Sequence, residues 1–235
     1  MKLTVLIPVY NEASTIADIV TRVRSIAAPG RSLEIIVVDD GSNDGTAGAL
    51  ERLAGPDLMV VRQPDNRGKG AALRAGLVRA TGDVVVVQDA DLEYDPSDIP
   101  AVIEPIVSQG APVVYGSRIL GRNPHSYLRY YYGGRAVTWA FNALYGGRLT
   151  DLTTCYKAFR RETLQGLPLT CTGFEFCPEV TALLALRRIP IREVPIGYRP
   201  RSLEQGKKIR WTDGIRALAT LARLRLAGPW KRGSP

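Results

Sequence analysis

Short aliphatic runs alternate along the chain with stretches in which apolar residues recur at helical spacing. Leu3 to Val9 reads as a buried strand. Ser14 stands in position to cap a helix whose apolar residues are Ile16, Ile19, Val20 and Val23. Leu33 to Val38 reads as a second strand, 46–53 as a helix and Leu58 to Arg62 as a third strand. Asn66-Arg67-Gly68-Lys69-Gly70 opens a helix through Ala71 to Ala80, and Thr81-Gly82-Asp83 turns the chain into a strand over 84–88. Strand ends run into polar or acidic loops before helices. That alternation predicts an α/β fold, a mostly parallel sheet covered on both faces, with ligands beyond the carboxyl ends of its strands.

The second half is less regular. A helix is predicted from Pro96 to Val107 and a strand over 112–118. Residues 119–132, rich in Gly, Asn, Pro, Tyr and Arg, predict a mobile loop. Val137 to Leu144 and Phe174 to Leu186 read as helices, Ile191 to Tyr198 as a strand, and Asp151 to Arg160 ends in alternating apolar positions. From Trp211 to Leu226 a helix is expected to set Ile215, Leu218, Leu221 and Ala222 on one side, mostly against the core, with a basic, interfacial character. No repeat or linker interrupts the chain.

With 235 residues, 45% hydrophobic and 23% charged, the chain can bury a substantial core as one large domain or a domain with a short extension. No apolar run reaches the ~18–20 residues of a membrane span. The N-terminus leads directly into a strand without a signal peptide's cleavage region, so a cytoplasmic location is expected. Three cysteines without a C-x-x-C pair read as reduced structural thiols, and the single histidine, His125, falls in a loop, exposed or touching substrate. The net charge of +8 calls for a polyanionic partner: nucleic acid, an anionic membrane surface or a phosphorylated substrate.

Candidate chemistry concentrates at the strand ends. Asp89, Asp91 and Glu93 follow four consecutive valines, and on an extended chain they would share one face. Carboxylates there are solvated in a turn or offer two or three oxygens to a hard divalent cation that keeps positions for water and phosphate. Asp39-Asp40-Gly41-Ser42 suits either a nucleoside or an Asx turn, and Gly68-Lys69-Gly70 either a phosphate contact or a plain turn into a helix. The latter is not a P-loop, because the Gly-x-x-x-x-Gly-Lys-[Ser/Thr] spacing is missing. Lys207-Lys208-Ile209-Arg210-Trp211, preceded by Arg199 and Arg201, is a solvated basic run or a loop that closes over phosphates.

Ile7-Pro8-Val9-Tyr10-Asn11-Glu12, Asp39 through Thr46, Asn66 through Gly70 and Gln88-Asp89-Ala90-Asp91, in this order, resemble family 2 glycosyltransferases over nearly the whole chain. Gly116-Ser117-Arg118, Asp151 through Phe159 and Glu193-Val194-Pro195-Ile196-Gly197-Tyr198 are similar to the branch of dolichyl- and polyprenyl-phosphate mannose or glucose synthases. The resemblance implies a GT-A, Rossmann-like three-layer fold and an inverting, metal-dependent transfer of a hexose from a GDP- or UDP-sugar to a polyprenyl phosphate. It implies that Pro8, Tyr10, Glu12, Asp39, Lys69, Asp89, Ala90, Arg201 and Lys207 contact the nucleotide sugar, with Lys208 as a further phosphate candidate. Asp89, Asp91 and Glu93 would hold Mg²⁺ or Mn²⁺, although close mannose synthases often carry a neutral or different residue at the position of Glu93. Asp91, Asp151 and Arg118 would form the catalytic set, with Asp151 orienting sugar or acceptor.

The expected organisation is a glycosyltransferase domain over 1–205, with a nucleotide half to about 118 and an acceptor half over 119–205, and a basic loop and helix over 206–235. Lipid contact is expected to be peripheral, on the inner face of a membrane, or through a membrane-protein partner. A soluble or polysaccharide acceptor is the alternative within the same chemistry. A non-catalytic nucleic-acid or membrane binder is the alternative outside it, and carboxylates clustered at the strand ends speak against nucleic acid there.

Overall fold

The protein is described by a computed structural model over residues 1–27, 30–121, 123–124, 127–201 and 208–227. Its strands are β1 (Lys2–Val9), β2 (Ser32–Asp39), β3 (Leu58–Arg62), β4 (Val84–Val87), β5 (Val113–Ser117), β6 (Lys157–Arg160) and β7 (Ile191–Pro195). They form one sheet in the order β3-β2-β1-β4-β6-β5-β7. Every pairing is parallel except those of β6, which runs antiparallel to β4 and β5.

Strand alternation builds two cores. Val5 and Ile7 of β1, Ile35 and Val37 of β2, and Val84 and Val86 of β4 face α1 (Ile16–Ser25), α2 (Thr46–Glu51) and α4 (Ile99–Gln109). Leu6, Ile36, Val38, Val85 and Val87 face α3 (Lys69–Leu77) and α7 (Phe176–Leu186). Both faces of the central strands are therefore dry, which is why they read as continuous apolar runs. A third cluster, Val137, Phe141, Leu152, Ala182, Ala217 and Leu221, lies under α5 (Leu128–Tyr145) and α8 (Trp211–Leu226), while α6 (Arg161–Gln165) follows β6 directly.

Several elements differ from the sequence reading. Helix α1 starts after Thr15 rather than at a Ser14 cap, and the Thr15 hydroxyl instead donates to Glu12 Oε2 at 2.9 Å. Helix α3 begins at Lys69. Helix α5 takes in residues 128–136, all of them before the predicted helix, because that part of it turns apolar residues outward and its glycine pair mimics a breaker. On α8 the buried residues are Ala217, Thr220 and Leu221, whereas Ile215 and Leu218 are exposed. Strand β6 spans only 157–160 and inserts between β4 and β5, so the two halves of the chain share one sheet.

Candidate functional site

The carboxyl ends of β1, β2 and β4 lie side by side, and their loops are cross-braced. Asn11 N–H donates to Ser42 Oγ (2.9 Å), Asn43 N–H to Asn11 Oδ1 (2.9 Å), and Glu12 N–H to Thr46 Oγ1 (3.0 Å). Pro8 and Tyr10 sit half-buried beside this junction. Asp39 is buried and its Oδ1 accepts from Ser42 N–H at 3.0 Å, the Asx turn that its composition suggested. Among the described residues no other group binds its carboxylate.

Asp40 has a different task, which the sequence reading missed. Its carboxylate accepts from Gln63 Nε2 (2.9 Å), Arg67 N–H (2.9 Å) and Gly68 N–H (2.8 Å), and so fixes the loop that leads into α3. Gly68 adopts φ +93, and a Cβ there would lie 2.6 Å from the Thr172 carbonyl oxygen, so only glycine fits. The next residue, Lys69, ion-pairs with Asp89 Oδ1, both side chains largely buried. Burial opposes the Lys69 charge, but Asp89 outweighs it and holds the ammonium well above its usual range.

The acidic stretch does not stay extended. Strand β4 ends at Val87, Leu92 takes φ +61, and Glu93 N–H bonds back to Asp91 Oδ1 at 3.1 Å. The shared face expected for residues 89, 91 and 93 is therefore replaced by a turn. Gln88, fully buried, clamps that turn by donating through Nε2 to the carbonyls of Asp89 (3.0 Å) and Tyr94 (3.3 Å). Its Oε1 is buried without a partner. Ala90 is buried inside the turn.

Turning separates the three carboxylates by role. Glu93 accepts from Tyr198 Oη and Arg201 N–H, both at 2.7 Å, and its carbonyl accepts from Arg199 N–H at 2.9 Å. It anchors the chain after β7. No three His, Cys, Asp or Glu residues gather as a metal cage among the described residues, and Glu93 is engaged by Tyr198 and Arg201. Asp91 has no cation bonded to it among the described residues. Burial, then the neighbouring Asp89 and Glu93, push its carboxyl up to about 7.

Across the sheet, Arg118 follows β5 and meets Asp151 through two parallel bonds, Nε to Oδ2 and Nη2 to Oδ1, each 2.7 Å. Arg118 also donates to Thr153 Oγ1 at 2.8 Å and lies over the Tyr198 ring, 5.1 Å from its centroid. Burial works against the Asp151 charge, but Arg118 prevails and holds this carboxyl below the usual range. Glu193 of β7 fixes the loop from behind, accepting from Thr150 N–H (2.8 Å) and Asp151 N–H (3.0 Å). Lys157, fully buried, supports the same loop by donating to the Leu152 carbonyl at 2.9 Å.

The basic segment reaches the site by a route the sequence does not display. Arg201 bonds Glu12 at 3.0 Å, and Lys208 Nζ bonds Glu12 Oε1 at 2.8 Å while also donating to the Tyr10 carbonyl. Glu12, expected to hold a nucleoside, is thus the counter-ion of two cations. Lys207 and His125 lie outside the described residues.

A family model described as glycosyl transferase family 2 matches residues 4–167. Dolichol-phosphate mannosyltransferase of Pyrococcus furiosus is 31% identical over 223 residues, covering 88% of this chain and 59% of the relative. Undecaprenyl-phosphate 4-deoxy-4-formamido-L-arabinose transferase of Pseudomonas aeruginosa is 34% identical over 172 residues, covering 72% of this chain and 49% of the relative. The chain thus spans about half to three-fifths of these relatives' lengths. Glucosyl-3-phosphoglycerate synthase from Mycobacterium tuberculosis, solved with Mn²⁺, UDP and phosphoglyceric acid, superposes with a TM-score of 0.73 at 24% identity, covering 95% of this chain and 78% of that one. The same enzyme has been solved with Mg²⁺ and UDP. The fold shared with these structures is GT-A.

Proposed function

Since the chain belongs to glycosyl transferase family 2, we propose that it moves a hexose from a GDP- or UDP-sugar to a polyprenyl phosphate, with inversion and with Mg²⁺ or Mn²⁺. One observation carries the reading. A half-buried aspartate without a bonded cation among the described residues, Asp91, stands beside the Lys69–Asp89 pair at the carboxyl end of β4. The names of the relatives, which act on dolichol phosphate and undecaprenyl phosphate, support the acceptor class.

The donor set suits a hard cation, since Mg²⁺ is commonly held by one or two carboxylates plus substrate phosphates. Asp91 and Asp89 would hold it, with Glu93 kept behind them as the anchor of residues 198–201. When bound, the metal supplies Lewis-acid stabilisation and charge neutralisation for the departing nucleoside diphosphate.

The remaining work falls to the chain. Asp39 receives a base or ribose donor beside Pro8 and Tyr10, and Asp40 keeps the 66–68 backbone in place beneath it. Lys69, held by Asp89, presents its ammonium toward the diphosphate across Ala90. Arg201 and Lys208 move from Glu12 to phosphate oxygens, and Lys207 is a further phosphate ligand. Residues 1–118 thereby serve the nucleotide, 119–205 the acceptor, and 206–235 the phosphates and the membrane surface.

On the acceptor side, a lipid monophosphate is largely ionised at neutral pH, because its second pKa lies near ~6. Its oxygen attacks the anomeric carbon without losing a proton to the enzyme. Asp151, locked on Arg118 through Nε and Nη2, acts by orienting that guanidinium, leaving Nη1 for the incoming phosphate.

Incubation with radiolabelled GDP- and UDP-hexoses and undecaprenyl phosphate tests the reading. The expected result is a divalent-metal-dependent label in the organic phase. No such product with any donor sinks it.

A further inference from the structure

Helices α5 and α8 pack together over Val137, Phe141, Ala217 and Leu221, and each carries a second apolar face on the opposite side. On α5 this outward stripe is Leu128, Tyr132 and Trp139, 63–73% exposed. On α8 it is Trp211, Ile215 and Leu218, of which Trp211 is 77% exposed. The spacing i, i+4, i+7 or i+11 keeps each set on one side of its helix. Large aromatic and aliphatic side chains standing in rows on two adjacent helices are a surface that has a partner.

Charge selects the partner. Helix α5 contains no acidic residue, and the single acid of α8, Asp213, is used to cap its own helix through Arg210 N–H at 2.7 Å. Arg129, Arg135, Arg216, Arg223 and Arg225 are all exposed on these two helices. A second copy of the chain would bring like charges face to face, whereas an anionic bilayer meets both needs: phosphate headgroups for the arginines and the acyl boundary for tryptophan, tyrosine and leucine. We propose that the α5–α8 face is a docking surface for an anionic lipid bilayer, with Trp139 and Trp211 inserted at the headgroup level.

The position fits the site. Thr138 Oγ1 of α5 accepts from Leu152 N–H at 3.1 Å, and Arg135 donates to the Thr150 carbonyl at 3.3 Å. The helix that meets the bilayer is thus bonded to the loop carrying Asp151, so docking sets the Arg118–Asp151 pair beside the membrane. The surface itself stands on exposure and charge and does not rest on the transfer reaction.

The test is flotation with phosphatidylcholine vesicles, with and without about one-third phosphatidylglycerol. The protein is expected to float with the anionic vesicles and far less with the neutral ones. Trp139→Ser combined with Trp211→Ser is expected to weaken that partition at least tenfold, while Val107→Ser, exposed on α4 across the sheet, leaves it unchanged. Brominated lipids are expected to quench the fluorescence of the wild-type protein, which keeps the test independent of how the variant folds. Absence of flotation, absence of quenching, or a double variant that floats like wild type overturns the proposal. So does a vesicle-free dimer that the double variant turns into a monomer. Nucleotide binding by thermal shift separates the two readings: lost flotation with intact binding removes the surface alone, and lost transfer with intact flotation removes the reaction alone.

Discussion

Arg201 and Glu12 are 189 residues apart in sequence and 3.0 Å apart in space. Their pairing puts the guanidinium within the basin formed by the ends of β1, β2 and β4, with its charge already balanced by a buried carboxylate. An incoming diphosphate competes with Glu12 for that cation. Arg201→Ala is expected to weaken GDP or UDP binding ten- to a hundredfold, the range of lost hydrogen bonds between charged groups. Calorimetry with Mn²⁺ present measures it, and an unchanged affinity removes Arg201 from the phosphate site.

Asp91→Asn is expected to abolish metal-dependent turnover and to stabilise the metal-free protein. The folded carboxyl titrates at about 7 against an ordinary value of 3.8, so the folded state binds more protons between those values. Wild-type stability therefore falls as pH rises from about 4 to 7, and the asparagine removes that loss. Thermal melts in chelator should show the variant ahead by several degrees at pH 8, with the gap closing near pH 4. A variant that melts below wild type at pH 8 contradicts the assignment.

Glu34 has the opposite sign. Burial raises its pKa, but bonds from Lys2, Thr4 and Thr81 overcome that and set it at about 2. Its stabilisation is present above 4.5 and disappears as pH falls from 4.5 towards 2. Glu34→Gln should cost about 1–3 kcal/mol at pH 7 and nothing near pH 2, read from urea unfolding at each pH. Equal losses at both pH values would show that packing, not charge, holds this corner.

Glu193 never faces a substrate in the proposed scheme, yet it fixes the backbone of Asp151. Glu193→Ala should lower kcat ten- to a hundredfold with donor binding unchanged. Combined with Asp151→Asn it should add little, because both changes release the same guanidinium. Additive losses in the double-mutant cycle would separate the two residues.

Strands β1, β2 and β4 were legible because their inner residues are buried on both faces and need no distant information, and Val84 to Val87 announce a strand by themselves. Strand β3, at the sheet edge with Met59 exposed, was legible from its β-branched and aliphatic run alone. The family resemblance was equally local, and the match over residues 4–167 bears it out. The antiparallel insertion of β6 was not legible, since four residues after an irregular loop carry no sign of which neighbours they join. Helix α5 was half hidden because Leu128, Tyr132 and Trp139 point outward. At the site, the sequence displayed the carboxylates but not their duties. Asp40, Gln88 and Glu93 act on backbone groups that only the turn at Leu92 and the loop at Gly68 bring to them.

The place of β6 also orders how the molecule can be made. Strand β5 is complete at residue 117 but has no seat beside β4, because that seat belongs to residues 157–160. During synthesis some forty residues emerge before the sheet can close, and until then β4 offers one bare edge of four valines. Chains cut anywhere between 118 and 156 keep that edge for good, and they should collect as strand-paired aggregates rather than as a working nucleotide-binding half.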